Sequence, residues 1–390
     1  MKPLVTLVLL LNCIFSAAQN ITVQGTVVDE ATALPLPGAV VFINQTTKGQ
    51  KTDSSGFFSI TDVNEKQFEL VAYAEHYEPL VFSFTKEQLN KRIKFQLHKL
   101  NKVVEKAETI SADKKLLWQQ IFSTGFLGTS TNADECFISN FSSLVFKIDS
   151  ATNYISVIAN EPLQIFNESL GYYVTCYLRE CNLNEKQGII DLEYYTLFKP
   201  LTTKRTELLL KWDTRRKDTY DGSLMQFMRS FYNGTVNNIG YQIKKTTRYY
   251  EDLSPALYAD ALKIKGAFVS TEYALTDNKK YAKRNFVELV EKTAPQLSDI
   301  RFSDTAAKAI IFSGNARYQI EYISNYNRNY YYNSPIKLNA LSVVSDIAFK
   351  ENLLIFSSGR FFDADKVIVQ GYWHILKLAD TLPFDYLETK

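Results

Sequence analysis

Apolar and polar residues alternate in short stretches over the first hundred residues, and turn-forming residues separate one stretch from the next. Alternation with a period of two, interrupted by turn signals, is typical of antiparallel strands. Pro37 and Gly38 suit the centre of a type II turn, because proline presets φ and glycine supplies a positive φ. The pattern predicts an antiparallel β-sandwich over residues 19–98, with strands at Val23–Val28, Ala39–Ile43, Phe57–Ile60, Phe68–Tyr73, Leu80–Phe84 and Ile93–Leu97.

The pattern changes after a polar stretch at residues 99–112, which we interpret as a linker. A short helix is predicted from Asp113 to Phe122, with Leu116, Leu117 and Ile121 on one side. Weaker helical patterns cover residues 256–263, 286–292 and 374–379. Period-two stretches predict strands at residues 143–148, 154–158, 208–212, 309–312, 318–322 and 367–369.

One amphipathic helix is clear in this second part. It is predicted over residues 220–231, with Gly234 as its C-cap, and its apolar face comprises Tyr220, Leu224, Phe227, Met228 and Phe231. The predicted fold class is therefore mainly β: an N-terminal antiparallel β-sandwich, followed by a β-rich α+β domain at residues 113–390.

The first eighteen residues have the features of a secretion signal. Lys2 supplies the positive start, Leu4 to Phe15 is apolar, and Ser16-Ala17-Ala18 is a small-residue cleavage site. The apolar run is too short to span a membrane. We predict a signal peptide at residues 1–18, and export to the periplasm or the outer membrane.

Charge and composition exclude few classes of function. Removal of the signal peptide takes away one lysine, which leaves 43 Lys and Arg against 42 Asp and Glu, a net charge of +1. This balance gives no reason to predict a nucleic-acid partner, and no cofactor is predicted. The aromatic content of 14% suits strands and buried sheet faces.

Three cysteines remain after the signal peptide: Cys136, Cys176 and Cys181. An exported protein can hold a disulfide, and Cys176 could pair with Cys181 across a turn. Alternatively, Cys176 is an inward-facing residue of a strand, because free cysteine buries well.

Three motifs in the first hundred residues define a family resemblance. They are a Gly-x-Val-x-Asp opening at residues 25–29, a Pro-x-Pro-Gly-Ala-Val turn at 35–40, and a Thr-Asp-x-x-Gly-Phe hairpin at 52–57. They resemble the carboxypeptidase regulatory-like domain, which implies a transthyretin-like β-sandwich. The family commonly has Gly-Tyr-Glu where this chain has His76-Tyr77-Glu78. The resemblance implies shape and no activity.

The second part carries further motifs, at residues 126–140, 161–163, 167–172, 220–230, 371–373 and 379–386. Together they resemble a group of exported Bacteroidota proteins that carry a carboxypeptidase-like regulatory domain. This resemblance implies no known activity, so no catalytic residues follow from it.

Enzyme motifs do not occur. None of the three histidines begins a His-x-x-Glu or His-Glu-x-x-His zinc motif, and nucleophile-elbow and phosphate-loop patterns do not occur. We therefore predict no catalytic, metal or cofactor residues. Either Asp221 or Ser223 is interpreted as a helix N-cap, and Asp53 to Gly56 as a hairpin turn rather than a calcium loop.

The most unusual stretch combines tyrosine with asparagine. Exposed residues of this kind could stack on a sugar or anchor a protein partner; alternatively, they cover a sheet beneath them. The predicted ligand contacts are Tyr326, Arg328, Tyr330, Tyr331 and Tyr332.

Two basic clusters complete the candidates. Lys279, Lys280, Lys283 and Arg284 suit a solvated loop, or contact with anionic headgroups or glycans. Residues 215–217 precede the predicted helix and Arg229 lies within it. There, burial against a carboxylate is the favoured interpretation.

The favoured function is a non-catalytic envelope protein that acts in binding or assembly with a protein or glycan partner. The first alternative is a hydrolase on glycan or peptide with its site in the second domain, because paired carboxylates would be brought together only by the fold. The least favoured is an outer-membrane receptor-like barrel.

Overall fold

The computed structural model describes residues 21–63, 67–84, 92–100, 110–148, 154–186, 188–275, 281–314, 316–323, 342–362 and 367–388. The predicted signal peptide lies outside these ranges. The strands are β1 Ile21–Asp29, β2 Val40–Ile43, β3 Gly49–Lys51, β4 Phe57–Val63, β5 Phe68–Tyr73, β6 Leu80–Phe84, β7 Ile93–Leu97, β8 Cys136–Ile138, β9 Leu144–Ile148, β10 Ile155–Ala159, β11 Leu163–Asn167, β12 Tyr172–Asn184, β13 Ile189–Pro200, β14 Tyr241–Tyr250, β15 Phe268–Leu275, β16 Tyr281–Val290, β17 Arg301–Asp304, β18 Ala309–Phe312, β19 Ala316–Ile323, β20 Ser342–Phe349, β21 Leu353–Ile355 and β22 Val367–Gly371.

The helices are α1 Ala112–Leu127, α2 Thr206–Tyr220, α3 Leu224–Asn233, α4 Val236–Ile239, α5 Pro255–Ala261, α6 Leu297–Ile300 and α7 Tyr372–Ile375. Within the described ranges these strands form five sheets: β4-β1-β7, β3-β2-β5-β6, β8-β11-β12-β10-β9 with β13 beside β12, β17-β18-β21, and β15-β16-β14-β19-β20-β22. The mainly β fold class is confirmed.

The first two sheets form the predicted sandwich. All six predicted strands are present, and the short strand β3 is an addition. β1 pairs antiparallel with β4 but parallel with β7, so the sandwich is not wholly antiparallel. Val27, Val41, Phe58 and Phe95 are among the side chains that fill the space between the sheets.

The predicted turn chemistry is confirmed. Gly38 has a φ of 77°. The Asp53 carboxylate accepts from the backbone N–H of Ser55 at 2.8 Å and of Phe57 at 2.9 Å, which fixes the hairpin. His76, which replaces the family's glycine, has a φ of 67°, a value that histidine tolerates better than most residues.

The turn after β2 docks the sandwich on the second part of the chain. The backbone N–H of Gln45 donates to the carbonyl of Thr196 at 2.8 Å, and that of Phe198 donates to Thr46 at 2.9 Å. The ring of Phe42 stacks on Tyr177 with 4.9 Å between centroids. The turn thus extends the sheet beside β13, and the junction is held by backbone hydrogen bonds as well as by apolar contact.

The C-terminal segment closes the same junction. The N–H of Phe384 donates to the carbonyl of Gln45 at 2.7 Å, and the Asp385 carboxylate accepts from the backbone and the hydroxyl of Thr47. The guanidinium of Arg360, 3% exposed, donates to the carbonyl of Asn44 at 2.6 Å. Three separate segments of the second part therefore contact one turn of the sandwich.

Helix α1 is longer than predicted and uses a different face. Its buried side chains include Trp118, Phe122 and Phe126, spaced four residues apart. Leu116 and Leu117 are 66% and 41% exposed. The aromatic residues occupy the core side because each buries more apolar surface than a leucine.

The strand predicted at residues 208–212 was wrong, because these residues lie in α2. Leu209 and Leu210 are exposed, and Trp212 is the residue of this run that enters the interior. Its ring lies so close to Gly171 that a Cβ there would meet it at 2.3 Å. A short apolar run does not distinguish a helix from a strand.

The predicted helix at residues 220–231 is divided in two. Tyr220 ends α2, and α3 begins at Leu224 with the Ser223 hydroxyl accepting from the N–H of Gln226 at 3.1 Å. The predicted cap at Ser223 and the C-cap at Gly234, with a φ of 70°, are confirmed. Residues 215–217 therefore lie near the end of a helix, where positive charge is favourable, and not before its start.

Residues 286–292 do not form the predicted helix. Most of them belong to β16, which hydrogen-bonds to β14 on one side and to β15 on the other. The apolar run Phe286-Val287 fits a strand as well as a helix, and pairing on both sides decides the outcome.

Cys176 and Cys181 are both free and both lie on β12. Five residues of extended chain place their Cα atoms about 16 Å apart, too far for a disulfide. An odd spacing normally turns two side chains to opposite faces of a strand. A register shift between Leu178 and Glu180 changes the alternation by one residue. Both thiols therefore lie on the same face of the strand, and both are buried.

Most of the buried side chains that the structure describes in the second part form two clusters. One joins α1, the sheet of β8 to β13 and the C-terminal segment. The other joins α3, the sheet that contains β14, and Trp373. The predicted boundaries at residues 98 and 113 stay a prediction. In the described ranges, no helix is both long and apolar enough to cross a membrane.

Candidate functional site

The sheet β15-β16-β14-β19-β20-β22 has one apolar face and one polar face. Residues 241, 243, 318, 320, 343 and 347 belong to the apolar core. The alternate residues of the same strands point to the other side, and six of them, one from each strand, are Glu272, Glu288, Arg248, Arg317, Asp346 and Gln370.

The polar face is concave. A flat sheet of six strands would separate its two edge strands by about 24 Å. Yet the amide of Gln370 on one edge lies 3.4 Å from the carboxylate of Glu272 on the other. Two side chains cannot span such a gap, so the sheet curls and brings its edges together. We call this concave polar face the trough.

Arg248 lies at the centre of the trough. Its guanidinium donates to Glu288 through Nε at 2.9 Å and to Glu272 through Nη1 at 2.8 Å, and it stacks on the ring of Phe286 at 4.1 Å. The Arg248 and Glu288 side chains are each 5% exposed. These contacts compensate the cost of removing the charges from water.

Asp346 is the carboxyl group of the trough that most departs from its ordinary behaviour. Burial raises the pKa of Asp346 to about 6, the charge of Glu288 acts in the same direction, and Arg248 and Arg317 act against it. Its Oδ1 has no hydrogen-bond partner among the described residues, and neither has the buried hydroxyl of Thr246. Buried polar atoms in this state require a physical explanation, and a bound water or ion is one of them.

Two residues of β19 have hydrogen-bonding capacity that the residues described by the structure do not fill. Arg317 makes one long contact, from Nη1 to the Gln370 side chain at 3.4 Å. Gln319 lies opposite Lys244 and Asp346 and is half-buried. The trough thus combines a satisfied ion cluster with donors and acceptors that face solvent, which suits recognition of a polar ligand.

The structure does not test the predicted ligand contacts. Tyr326, Arg328, Tyr330, Tyr331 and Tyr332 lie outside the described residues. In the sequence they fall between β19 and β20. Their role in binding stays a prediction.

Two arginines among the predicted basic candidates, Arg284 and Arg229, have partners within the protein. Arg284 Nε pairs with Asp252 at 2.9 Å, while Lys279 and Lys280 lie outside the described residues. The predicted carboxylate partner of Arg229 was wrong, because its guanidinium donates to the carbonyls of Ser358 at 2.8 Å and Phe384 at 3.0 Å. Arg229 thus fastens α3 to the C-terminal segment.

A second polar cluster joins the motifs of the second part. The Asp380 carboxylate accepts from the Ser130 hydroxyl at 2.8 Å and from the Asn132 amide at 2.9 Å. Asn132 also donates to Thr219 at 3.0 Å and accepts from Ser169 at 2.6 Å. Segments that are far apart in sequence therefore meet at Asp380.

The chemistry of this cluster indicates a structural role, which is to hold distant segments of the chain together. Burial raises the pKa of Asp380 to about 6, and the two hydrogen bonds from Ser130 and Asn132 act in the opposite direction. All the groups bonded to it are uncharged. A cavity of about 190 Å³ lies beside it, walled largely by apolar side chains such as Leu224, Phe361, Trp373 and Leu382.

Groups suited to covalent or metal chemistry are scarce in the described part of the chain. No cluster of three or more His, Cys, Asp and Glu side chains there could hold a metal ion. Burial raises the pKa of the Cys136 thiol to about 12, and it also raises the pKa values of Cys176 and Cys181, which suppresses the nucleophilic thiolate.

Sequence reasoning missed the trough. A signal for it exists in the alternation of charged and polar residues at positions 244, 246 and 248, at 284 and 288, and at 317, 319 and 321. Such alternation normally marks a solvent-facing side of a strand. Nothing in the pattern indicates that the sheet curls and encloses this side.

The comparisons with known proteins concern mainly the first domain. No curated protein matches the sequence. A 9R-lipoxygenase from Cyanothece PCC8801 is a similar solved structure, at 8% identity over 57% of this chain and 48% of that chain, with a TM-score of 0.17. A TM-score this low carries no argument. The family model described as CarboxypepD_reg-like domain matches residues 23–106, so the N-terminal sandwich is a carboxypeptidase regulatory-like domain.

Proposed function

We propose that the protein is a non-catalytic, exported envelope protein that binds a glycan in the trough. The observation that carries this proposal is the curled six-stranded sheet, whose concave face presents polar side chains from every strand. Sugars offer hydroxyl groups that both donate and accept, and carboxylates, amides and guanidinium groups provide matching partners.

The arrangement favours binding over assembly through an apolar surface. Arg248, Glu272 and Glu288 hold one another in place, so the floor of the trough is fixed before a ligand arrives, and a fixed site loses less entropy on binding. Gln319 and Arg317 stand beside this floor with donors that the described residues do not fill.

The location belongs to the same proposal. The signal-peptide features of residues 1–18 support export, and the resemblance to exported Bacteroidota proteins supports the periplasm or the outer membrane as the destination. The regulatory-like domain gives the protein a rigid N-terminal module that is docked on the binding domain.

Glycan binding is tested with the mature chain on an array of bacterial, plant and animal oligosaccharides, followed by calorimetry on the glycans that bind. Gln319→Ala is expected to weaken binding at least about tenfold, the loss of one or two hydrogen bonds to a ligand. Gln96→Ala is the matched control, because Gln96 is an exposed glutamine on strand β7 of the sandwich.

An array on which no glycan binds overturns the proposal. Binding that is equal in the wild type and in Gln319→Ala places the ligand somewhere other than the trough. Pull-down of an envelope protein by the wild type, lost in Gln319→Ala, would replace the glycan by a protein partner.

A glycan hydrolase is the second candidate, and Asp346 is the observation that favours it. A carboxyl group with a pKa near 6 can donate a proton to a leaving group, and Glu288 is a second carboxylate in the same trough. Release of reducing sugar from a bound glycan, abolished by Asp346→Asn, would establish catalysis. A glycan that binds and stays intact through prolonged incubation rejects it.

A further inference from the structure

The two guanidinium groups of the trough, those of Arg248 and Arg317, differ in how many of their N–H donors are already hydrogen-bonded within the described residues. Arg248 uses Nε and Nη2 on Glu288 and Nη1 on Glu272, and its face is covered by Phe286. Its N–H donors are therefore hydrogen-bonded, and its positive charge is balanced by Glu272 and Glu288. A ligand would have to displace a buried carboxylate to reach it, at a high cost in free energy.

Arg317 is in the opposite situation. It is half-buried on β19, and its one hydrogen bond among the described residues is the 3.4 Å contact to Gln370. An arginine carries five N–H donors, so the described part of the chain uses only a small share of its capacity. None of the described carboxylates lies within ion-pairing distance of it, although Asp346 is close enough to feel its charge.

A partly buried guanidinium attracts an anion strongly, because the surrounding protein screens its charge less than water does. Carboxylate is the anion whose planar shape fits the fork of an arginine, through two parallel hydrogen bonds. Gln319 lies two residues further along β19 and on the same face. A ligand bound at Arg317 would place its neighbouring atoms within reach of Gln319.

We propose that the glycan recognised in the trough is acidic, that Arg317 pairs with its carboxylate, and that Gln319 bonds an adjacent hydroxyl. This inference rests on the proposed glycan-binding function and adds the class of sugar: a uronic acid or a sialic acid.

The experiment compares ligands that differ in the carboxylate alone. Binding constants are measured by calorimetry for trigalacturonic acid and its methyl ester, and for 3′-sialyllactose and its methyl ester. The wild type is expected to bind the acid of at least one pair about tenfold more tightly than the ester, the gain typical of a charge-assisted pair.

The variants locate the contact. Arg317→Gln is expected to reduce the preference to about twofold or less while ester binding is kept, and Arg317→Lys to retain part of it, because a lysine keeps the charge but not the fork. Arg179→Gln is the matched control, since Arg179 lies on β12 in another sheet and is already paired with Glu193. Its preference should equal that of the wild type. Circular dichroism of each variant shows that the fold is kept.

Equal binding of acid and ester by the wild type overturns the acidic ligand and leaves glycan binding in place. A preference that survives in Arg317→Gln overturns the role of Arg317. Absence of binding to these four probes and to every glycan of the array overturns both the inference and the proposed function.

Discussion

Removal of the Arg248 side-chain charge is expected to cost much more stability than removal of a similar charge on the neighbouring strand β16. Arg248→Met keeps most of the apolar stem and deletes the guanidinium. Glu288, with a side chain 5% exposed, and Glu272, at 18%, would then be left without their cation. Breaking a buried pair in this way costs about 3–5 kcal/mol, because an uncompensated charge stays in a poorly hydrated place.

Arg284→Met is the matched comparison. Arg284 also donates through Nε to a carboxylate at 2.9 Å and also lies over an aromatic ring, that of Tyr250 at 4.8 Å. Its side chain is 22% exposed and that of its partner Asp252 is 54% exposed. A pair open to water contributes about 0–1 kcal/mol, so this variant should stay close to the wild type.

Unfolding by urea, followed through tryptophan fluorescence, measures both variants. Trp373 belongs to the core on the opposite side of the same sheet and reports on its loss. A second substitution, Glu288→Gln, in the Arg248→Met background should restore part of the lost stability, because it removes one of the orphaned charges. If the two single variants lose equal stability, the trough is solvated and its charges are not buried in the way described above.

Three further predictions concern pH, thiols and the docked sandwich. The folded-state pKa of Asp346 is raised from 3.8 to about 6, so the folded protein holds this proton more tightly than the unfolded chain, and stability should fall as the pH rises from about 4 to about 6. Asp346→Asn should reduce that decline in unfolding midpoints measured across the range and leave the part due to Asp380, whose pKa is also raised to about 6; an unchanged profile would contradict the assignment. Thiol reagent should label the native protein far more slowly than the unfolded one, and a rapid reaction of the native protein would show that burial does not protect the thiols, which are Cys136, Cys176 and Cys181. Thr47→Val removes a hydroxyl bonded to Asp385 and should weaken docking by about 1–3 kcal/mol. Hydrogen exchange of the Gln45 and Phe198 amides, which donate across the junction, should then accelerate, whereas the same exchange rates as in the wild type would mean that this contact is not needed.

Local structure followed closely from local sequence wherever a single residue type had a strong backbone preference. Gly38, Gly56 and Gly234 all take a positive φ at the turns and the cap where they were expected. Ser223 caps α3 through its hydroxyl. These outcomes depend on interactions within a few residues, which a sequence displays directly.

The predicted element type was wrong where a short apolar run fits both the helical period of about 3.6 residues and the strand period of about two residues. Residues 208–212 became helical and residues 286–290 became a strand, because neighbouring elements decided which backbone could be satisfied. For residues 286–290 the decision came from two flanking strands, and for residues 208–212 from a helix that inserts Trp212 against Gly171. The cysteines on β12 show the same dependence, since a bulge sets which way they point.

The sequence by itself determined the sandwich, its turns, the helix caps and the side of each strand on which charged residues stand. The tertiary structure alone decided that six strands curl, that Arg248 and Glu288 become buried, and that Arg317 beside them makes one hydrogen bond within the described residues. The physical reason is that periodicity records which side chains share a face. The curvature of a sheet, and therefore the exposure of that face to water, depends on contacts between residues as far apart as Glu272 and Gln370.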